Sequence, residues 1–270
     1  MNSSSCIFWF SGTGNSLYAA KHLSAELGDI PLVQVTSEML ASPVGGKGAK
    51  VGFVFPSYYC NLPRAVHTLV EQLEIEPETY IFAIVTMGGP GQGSVAAMKK
   101  ALKAKGLKLN YGVGIHMPAN NVLLYNPADP SKGEQMQEKT NQRLSGFATD
   151  IKNMKQSVKS FPIILRTHFK NIEKLDAPFT AGDNCTGCGQ CQKLCPVRNI
   201  QLEGGKPQWL HHCELCVACI SWCPARAIEY GEKTKPRRRY RNPHIAISEL
   251  MRREPGSDKA QNPGQGDTYL

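Results

Sequence analysis

Cys6-Ile7-Phe8-Trp9-Phe10-Ser11-Gly12-Thr13-Gly14-Asn15-Ser16 is the stretch on which the fold turns. Its first five residues form a short apolar run bounded by a glycine-rich turn, the pattern of a strand buried on both faces. Over residues 15–27 the period changes, with Leu17, Ala20, Leu23 and Leu27 recurring at helical spacing. The turn between them holds two glycines, three hydroxyls and no lysine or arginine. Gly12 and Gly14 would let the backbone approach an anion closely. The N–H groups of residues 13–16 lie at the positive end of the helix dipole. Ser11, Thr13 and Ser16 add neutral donors. The missing Gly-Lys-Ser/Thr excludes a Walker A loop, and the third glycine of a dinucleotide fingerprint, due near Leu17, is absent. Such a loop suits a terminal phosphate monoester.

The alternation continues downstream. Residues 31–35, 51–55, 80–86 and 109–117 are strand candidates, the last less apolar and expected at a sheet edge. Helical spacing covers residues 62–73 and 94–105, the latter stopped by Gly106, and a long final helix covers 132–155. Strands alternating with helices predict right-handed crossovers and a parallel sheet covered on both faces.

The second feature is a repeat. Eight of the ten cysteines form two copies of one pattern: Cys185, Cys188, Cys191, Cys195 before Pro196, and Cys213, Cys216, Cys219, Cys223 before Pro224. Every position recurs at an offset of 28 residues. Zinc ribbons pair one C-x2-C with a distant second pair, so four cysteines within eleven residues, twice over, fit zinc badly. The spacing C-x2-C-x2-C-x3-C-P resembles that of bacterial two-cluster ferredoxins, which hold 4Fe-4S clusters. In that family the fourth cysteine of each run reaches the other cluster. The resemblance therefore implies one cluster on Cys185, Cys188, Cys191 and Cys223, and another on Cys213, Cys216, Cys219 and Cys195.

The first half has its own resemblance. Ser11-Gly12-Thr13-Gly14-Asn15-Ser16 is similar to the FMN-phosphate loop of flavodoxins. Pro56-Ser57-Tyr58-Tyr59-Cys60-Asn61-Leu62-Pro63 resembles the segment that lays an aromatic ring along the isoalloxazine. Thr86-Met87-Gly88-Gly89-Pro90-Gly91-Gln92-Gly93 resembles the third flavin-contacting loop. The chain as a whole thus looks like a flavodoxin–ferredoxin fusion of the EFR-family ferredoxin type. The resemblance implies an α/β, flavodoxin-like, doubly wound five-stranded parallel sheet in the order 2-1-3-4-5, followed by a small α+β two-cluster domain. The boundaries expected are 1–158 for the FMN-binding domain, 159–175 for a connector, 176–232 for the cluster domain and 233–270 for a basic, flexible tail. The third loop departs from the family, carrying Met87, Gly88 and Gly89 in place of an acidic residue and an aromatic. That leaves one flavin face open or covered by the neighbouring domain.

Composition narrows the function further. The formal charge of +9 falls to about +5 once eight thiolates and two oxidised cubane cores are counted. A flavin phosphate removes roughly two more. No nucleic acid is therefore expected as a partner. The remaining charge sits in Lys233, Lys235, Arg237, Arg238, Arg239 and Arg241, read as solvated chain. The N-terminus lacks the pattern of a signal peptide and no apolar run is long enough for a membrane span. With thiolates that must stay reduced, the cytoplasm is the expected compartment. Cys6 and Cys60 read as packing, His211 and His212 receive no ligand role, and Trp209 and Trp222 are expected to shield the clusters. Asn120 and Asn121 follow the fifth strand, where they could approach the flavin. With no general acid or base set in view, the expected function is electron transfer between FMN and two 4Fe-4S clusters, serving redox partner proteins. The alternatives are an FMN-dependent reductase of a small substrate fed by the clusters, and a redox-sensing docking protein.

Overall fold

A parallel sheet forms the first half because its central strands, Cys6–Trp9, Lys50–Pro56 and Tyr80–Met87, are apolar runs buried on both faces, and helices cross over between the strands. The computed structural model describes residues 5–37, 43–89, 91–127, 129–160 and 174–251. The elements of the first half are β1 (Cys6–Trp9), α1 (Asn15–Glu26), β2 (Leu32–Gln34), β3 (Val44–Gly45), β4 (Lys50–Pro56), α2 (Arg64–Gln72), β5 (Ile75–Glu76), β6 (Tyr80–Met87), α3 (Gln92–Ala104), β7 (Tyr111–His116), α4 (Pro130–Lys152) and β8 (Ser157–Val158). Six of these strands make one sheet in the order β2-β1-β4-β6-β7-β8, and all its pairings are parallel. The pleat sorts the side chains. Ile7, Trp9, Phe82 and Ile84 pack under α1 and α4 with Leu17, Leu23, Leu144 and Ile151. Phe8, Phe53, Ile81 and Val85 pack under α2 and α3 with Leu69, Val70, Met98 and Leu102.

The sheet has six strands where five were expected. The sixth, β8, pairs Ser157 with Tyr111 and Val158 with Gly112. When α4 ends at Lys152 the chain returns along the sheet and covers backbone groups that an edge strand would leave unpaired. β7, expected at the edge, is therefore covered over its first two residues. A separate two-residue ladder joins β3 to β5; no periodicity marked it, because two residues carry none.

The second half is a duplicated unit whose repeat is written in the backbone. It contains β9 (Phe179–Ala181), α5 (Gln190–Leu194), β10 (Ile200–Glu203), β11 (Lys206–Trp209), α6 (Ala218–Trp222), β12 (Ile228–Tyr230) and α7 (Ile247–Leu250). α5 and α6 lie 28 residues apart, as do the starts of β10 and β12. Left-handed backbone recurs at the same offset: Gly187 and Leu215, Gly189 and Val217, Arg198 and Arg226. β9 pairs with β12 and β10 with β11, both antiparallel.

The segment from Lys233 through Met251, expected to be a flexible tail, is instead packed against both halves. Tyr240, Ile245 and Leu250 are buried. Its cations find partners within the chain. Lys235 pairs with Glu232 and Arg239 with Glu229, Arg237 donates to the Val122 carbonyl and Arg241 donates to the Ser221 carbonyl. Buried anchors at 240, 245 and 250 outweigh the entropy that the charged composition favours. The apolar part of the connector, 161–165, lies outside the described residues, as do 252–270. Among the described residues, no helix is long and apolar enough to cross a membrane.

Candidate functional site

Strand order reverses between β1 and β4, so the loops leaving their carboxyl ends diverge and open a crevice there. The residues after β1, β4, β6 and β7 line one cavity at this place, closed from the far side by Leu215, Cys216 and Val217 of the second half. Ser11, Gly12, Thr13, Asn15 and Ser16 line one end. Pro56, Ser57, Tyr58, Tyr59 and Cys60 line a side, and Thr86, Met87, Gly88 and Gly89 the floor. Asn120 and Asn121 also reach it. No motif marked Leu124 and Tyr125, which stand at the mouth, and none singled out Leu215, Cys216 and Val217 as the part of the second half that closes it.

Four candidates do not line this cavity. Leu62 is buried in the core beneath α2 and α3. Asn61 closes a tight turn, exchanging backbone hydrogen bonds with Tyr58 at 2.9 and 3.2 Å. Gly93 lies in the first turn of α3. Gly14 caps α1 with φ 100°, and the space beside it belongs to Asn242 and Ile245 rather than to an anion.

Local chemistry fixes the hydroxyls. Ser11 Oγ accepts the Gly14 N–H at 3.1 Å and Thr13 Oγ1 accepts from Asn120 Nδ2 at 2.6 Å. Each hydroxyl, having accepted, keeps its own O–H to donate. Ser16 pairs with Thr86 Oγ1 at 2.7 Å in a buried contact. Helix α1 supplies further donors, because its first N–H groups have no intrahelical acceptor. The Asn15 side chain is held in place: its Oδ1 accepts from Tyr240 and Asn242 and its Nδ2 donates one hydrogen to the Pro118 carbonyl.

The tyrosine turn is strained. Tyr59 and Cys60 have φ of 51° and 59° between the paired Tyr58 and Asn61. Two successive left-handed residues make the hairpin turn that normally selects Asn-Gly, and each non-glycine there costs roughly 1–3 kcal/mol. Cys60→Gly is therefore expected to raise the urea unfolding free energy by about 1 kcal/mol. A fall on urea titration would mean that the Cys60 side chain contributes more than its backbone costs. The neighbouring Tyr58 sets its ring edge-on to Phe10 at 6.2 Å. Its phenol is pushed well above the ordinary range by burial, with Cys216 and Glu214 nearby adding to the effect.

The eight repeat cysteines divide four and four. Cys185, Cys188, Cys191 and Cys223 line one cavity; Cys195, Cys213, Cys216 and Cys219 line another. The two cavities are small and of similar size, about 20 Å³ each. Each set takes three residues from one run and the last from the other. Among the described residues no three His, Cys, Asp or Glu side chains are grouped as a single metal ion would need. The thiols are instead spread around a volume. Backbone N–H groups at equivalent places reach sulfur: Asn199 to Cys195 Sγ at 3.2 Å and Ala227 to Cys223 Sγ at 3.3 Å. Burial pushes the Cys191 thiol up to about 11 and Cys213 up to about 12, with neighbouring cysteines adding to the effect. Four thiolates held together in such places need a compensating positive charge. His211 and His212 turn elsewhere, to Asp176 Oδ1 at 2.8 Å and the Val197 carbonyl at 2.9 Å. Trp209 lines the inner cysteine cavity, whereas Trp222 lines neither: it packs in the core beside α1, and its Nε1–H donates to the Gly12 carbonyl at 3.0 Å.

The large cavity and the Cys195–Cys213–Cys216–Cys219 cavity share a wall, for Cys216 and Val217 line both. Glu214 fastens this arrangement. Its carboxylate accepts the N–H groups of Arg64 and Ala65 at 3.0 and 3.1 Å and pairs with the Arg64 guanidinium at 3.3 Å. It thereby caps α2 from the other half of the molecule.

No protein-family model matches the chain, and no curated protein matches it. Solved structures similar to it include a protein described as a flavoprotein from Bacteroides uniformis ATCC 8492, at 16% identity and TM-score 0.34, covering 43% of this chain and 92% of that one. Two others are the azoreductase AzrA, at 13% identity and TM-score 0.37 over 54% of this chain and 100% of that one, and an azoreductase from Bacillus anthracis str. Sterne, at 14% and 0.37 over 54% and 99%. Likeness at this distance carries no argument, and the functional reading rests on the site itself.

Proposed function

We propose that the chain is an electron-transfer iron–sulfur flavoprotein, with FMN in the large cavity and one 4Fe-4S cluster in each cysteine-lined cavity. The observation that carries this reading is the shared wall of Cys216 and Val217 between the large cavity and the inner cysteine set. Flavin exchanges electrons singly or in pairs and each cubane carries one, so the combination interconverts one- and two-electron carriers.

The residues fit these groups. The backbone N–H groups at the start of α1 and the hydroxyls of Ser11 and Thr13 would hold the phosphate. Tyr58, Tyr59 and Met87 would flank the ring system, while Leu215 and Val217 exclude water on the side facing the inner cysteines. Cys195, Cys213, Cys216 and Cys219 would hold the nearer cluster, and Cys185, Cys188, Cys191 and Cys223 the farther. Thiolate ligation calls for a reducing compartment, in keeping with the cytoplasm. The partners implied are proteins that donate or accept single electrons.

Purified without oxygen, the protein is expected to carry about eight irons, about eight sulfides and about one FMN per chain. Rapid mixing with a limiting one-electron reductant should bring flavin and cluster absorbance to equilibrium at a rate independent of protein concentration. Stoichiometric zinc, or a rate that rises with concentration, would count against the reading. Cys195→Ser should damage the cluster of Cys213, Cys216 and Cys219 and spare the other.

One observation favours a second reading, reduction of a small substrate. The cavity mouth is formed by Leu124 and Tyr125, 55% and 39% exposed, an apolar edge on which a planar acceptor could rest. Steady-state turnover of quinone or azo acceptors by the reduced protein would favour this reading over carriage alone.

A further inference from the structure

The loop that opens α1 is held from outside by the last part of the chain. Four hydrogen bonds do this. Trp222 Nε1–H donates to the Gly12 carbonyl at 3.0 Å. The Asn242 N–H donates to the Thr13 carbonyl at 2.8 Å. Tyr240 Oη and Asn242 Nδ2 both donate to Asn15 Oδ1, at 2.8 and 3.0 Å. Asn242 is 1% and Tyr240 9% exposed, so these bonds form away from competing water.

Peptide geometry turns these contacts into a directing device. In a trans peptide the C=O and the following N–H point in opposite directions. With the Gly12 carbonyl drawn towards Trp222, the Thr13 N–H is aimed the other way. The Thr13 carbonyl, drawn to Asn242, turns the Gly14 N–H towards Ser11 Oγ, which accepts it. Asn15 Oδ1 is taken by Tyr240 and Asn242, and Nδ2 gives one of its two hydrogens to the Pro118 carbonyl, which fixes the side chain of the residue whose backbone opens α1. The anchoring segment is itself fixed to the cysteine repeat. Arg239 pairs with Glu229 at 2.6 Å, and Arg241 donates to the Ser221 carbonyl at 2.8 Å while lying over the Trp222 ring.

We propose that Tyr240 and Asn242 are positioning residues for the flavin phosphate, so that phosphate recognition by the N-terminal loop depends on the segment that follows the cysteine repeat. The proposal rests on the flavin reading of the large cavity. It goes beyond that reading by assigning part of the phosphate site to residues more than 220 positions away in the sequence.

The test is flavin binding to the full chain, followed by fluorescence quenching, with FMN and riboflavin as separate probes. Tyr240→Phe combined with Asn242→Ala is expected to raise the FMN Kd about tenfold or more and to leave the riboflavin Kd unchanged. Tyr240→Phe alone removes a single oxygen and keeps the ring, so it should fold and still weaken FMN severalfold. Lys21→Ala, which breaks the exposed pair with Glu249 on the same segment, should alter neither Kd. An unchanged FMN Kd in the double variant overturns the proposal, and so does an equal loss of FMN and riboflavin, which marks a merely structural role. A wild-type protein that binds neither flavin would instead overturn the flavin reading, and this proposal with it.

Discussion

Gly12→Ala is expected to loosen the junction between the two halves of the molecule. A Cβ on residue 12 would sit 2.0 Å from the Cys216 carbonyl oxygen and 2.9 Å from its carbonyl carbon. Both atoms are backbone, so no rotamer change relieves the overlap. Gly12 is not among the residues with left-handed backbone, so alanine brings no conformational penalty of its own, and the loss measures the contact. Overpacking of a fixed site costs about 1–3 kcal/mol, and an overlap this deep should reach or exceed the upper figure. The expected results are a lowered urea midpoint, faster trypsin cleavage between the halves and FMN affinity reduced by about a hundredfold. A variant within about 0.5 kcal/mol of wild type, with FMN affinity intact, would show that the cysteine run does not approach the loop so closely.

Glu214→Ala is expected to cost about 2–3 kcal/mol. The carboxylate does two jobs at one place: it satisfies the first two N–H groups of α2, whose preceding residue Pro63 offers no side-chain cap, and it neutralises Arg64. Removing one partner of a buried pair typically costs 3–5 kcal/mol, less here because Arg64 keeps some contact with water and its carbonyl partners at His212 and Cys213. Glu214→Gln keeps an acceptor oxygen and should lose about half as much. Urea titration of the two variants beside wild type makes the comparison. Equal losses for alanine and glutamine would show that charge, rather than capping, accounts for the effect.

What could be read from the sequence was whatever has a short range. The step from an unbroken apolar run to a period of 3.6 around Ser11–Ser16 located β1, the loop and α1, because burial on both faces of a strand and one face of a helix leaves its mark within a dozen residues. The cysteine repeat was legible because thiol spacing is a property of the chain itself. Long-range packing was not. Gly12 looked like a concession to an anion, yet the atom beside it is the Cys216 carbonyl, 204 residues on. Tyr240 and Asn242 lie in a stretch whose arginines suggest solvent, and nothing nearby in sequence records that Asn15 waits for them. Glu214, an unremarked residue between two cysteines, caps a helix 150 positions earlier. β8 escaped notice because two residues are too few to carry a period.

The left-handed positions of the duplicated unit have a consequence for how its two copies age apart. Where the first copy has Gly187 and Gly189, the second has Leu215 and Val217 in the same left-handed backbone, an unfavourable conformation for a branched side chain. The strained copy faces the large cavity, and its set of thiols includes the buried Cys195 and Cys219. The relaxed copy keeps its glycines, and its Cys188 is exposed. The inner set of thiols is thus screened by packing, while the outer set is open to solvent at Cys188. Thiol reagents in solution are expected to reach Cys188 before any other thiol of the repeat.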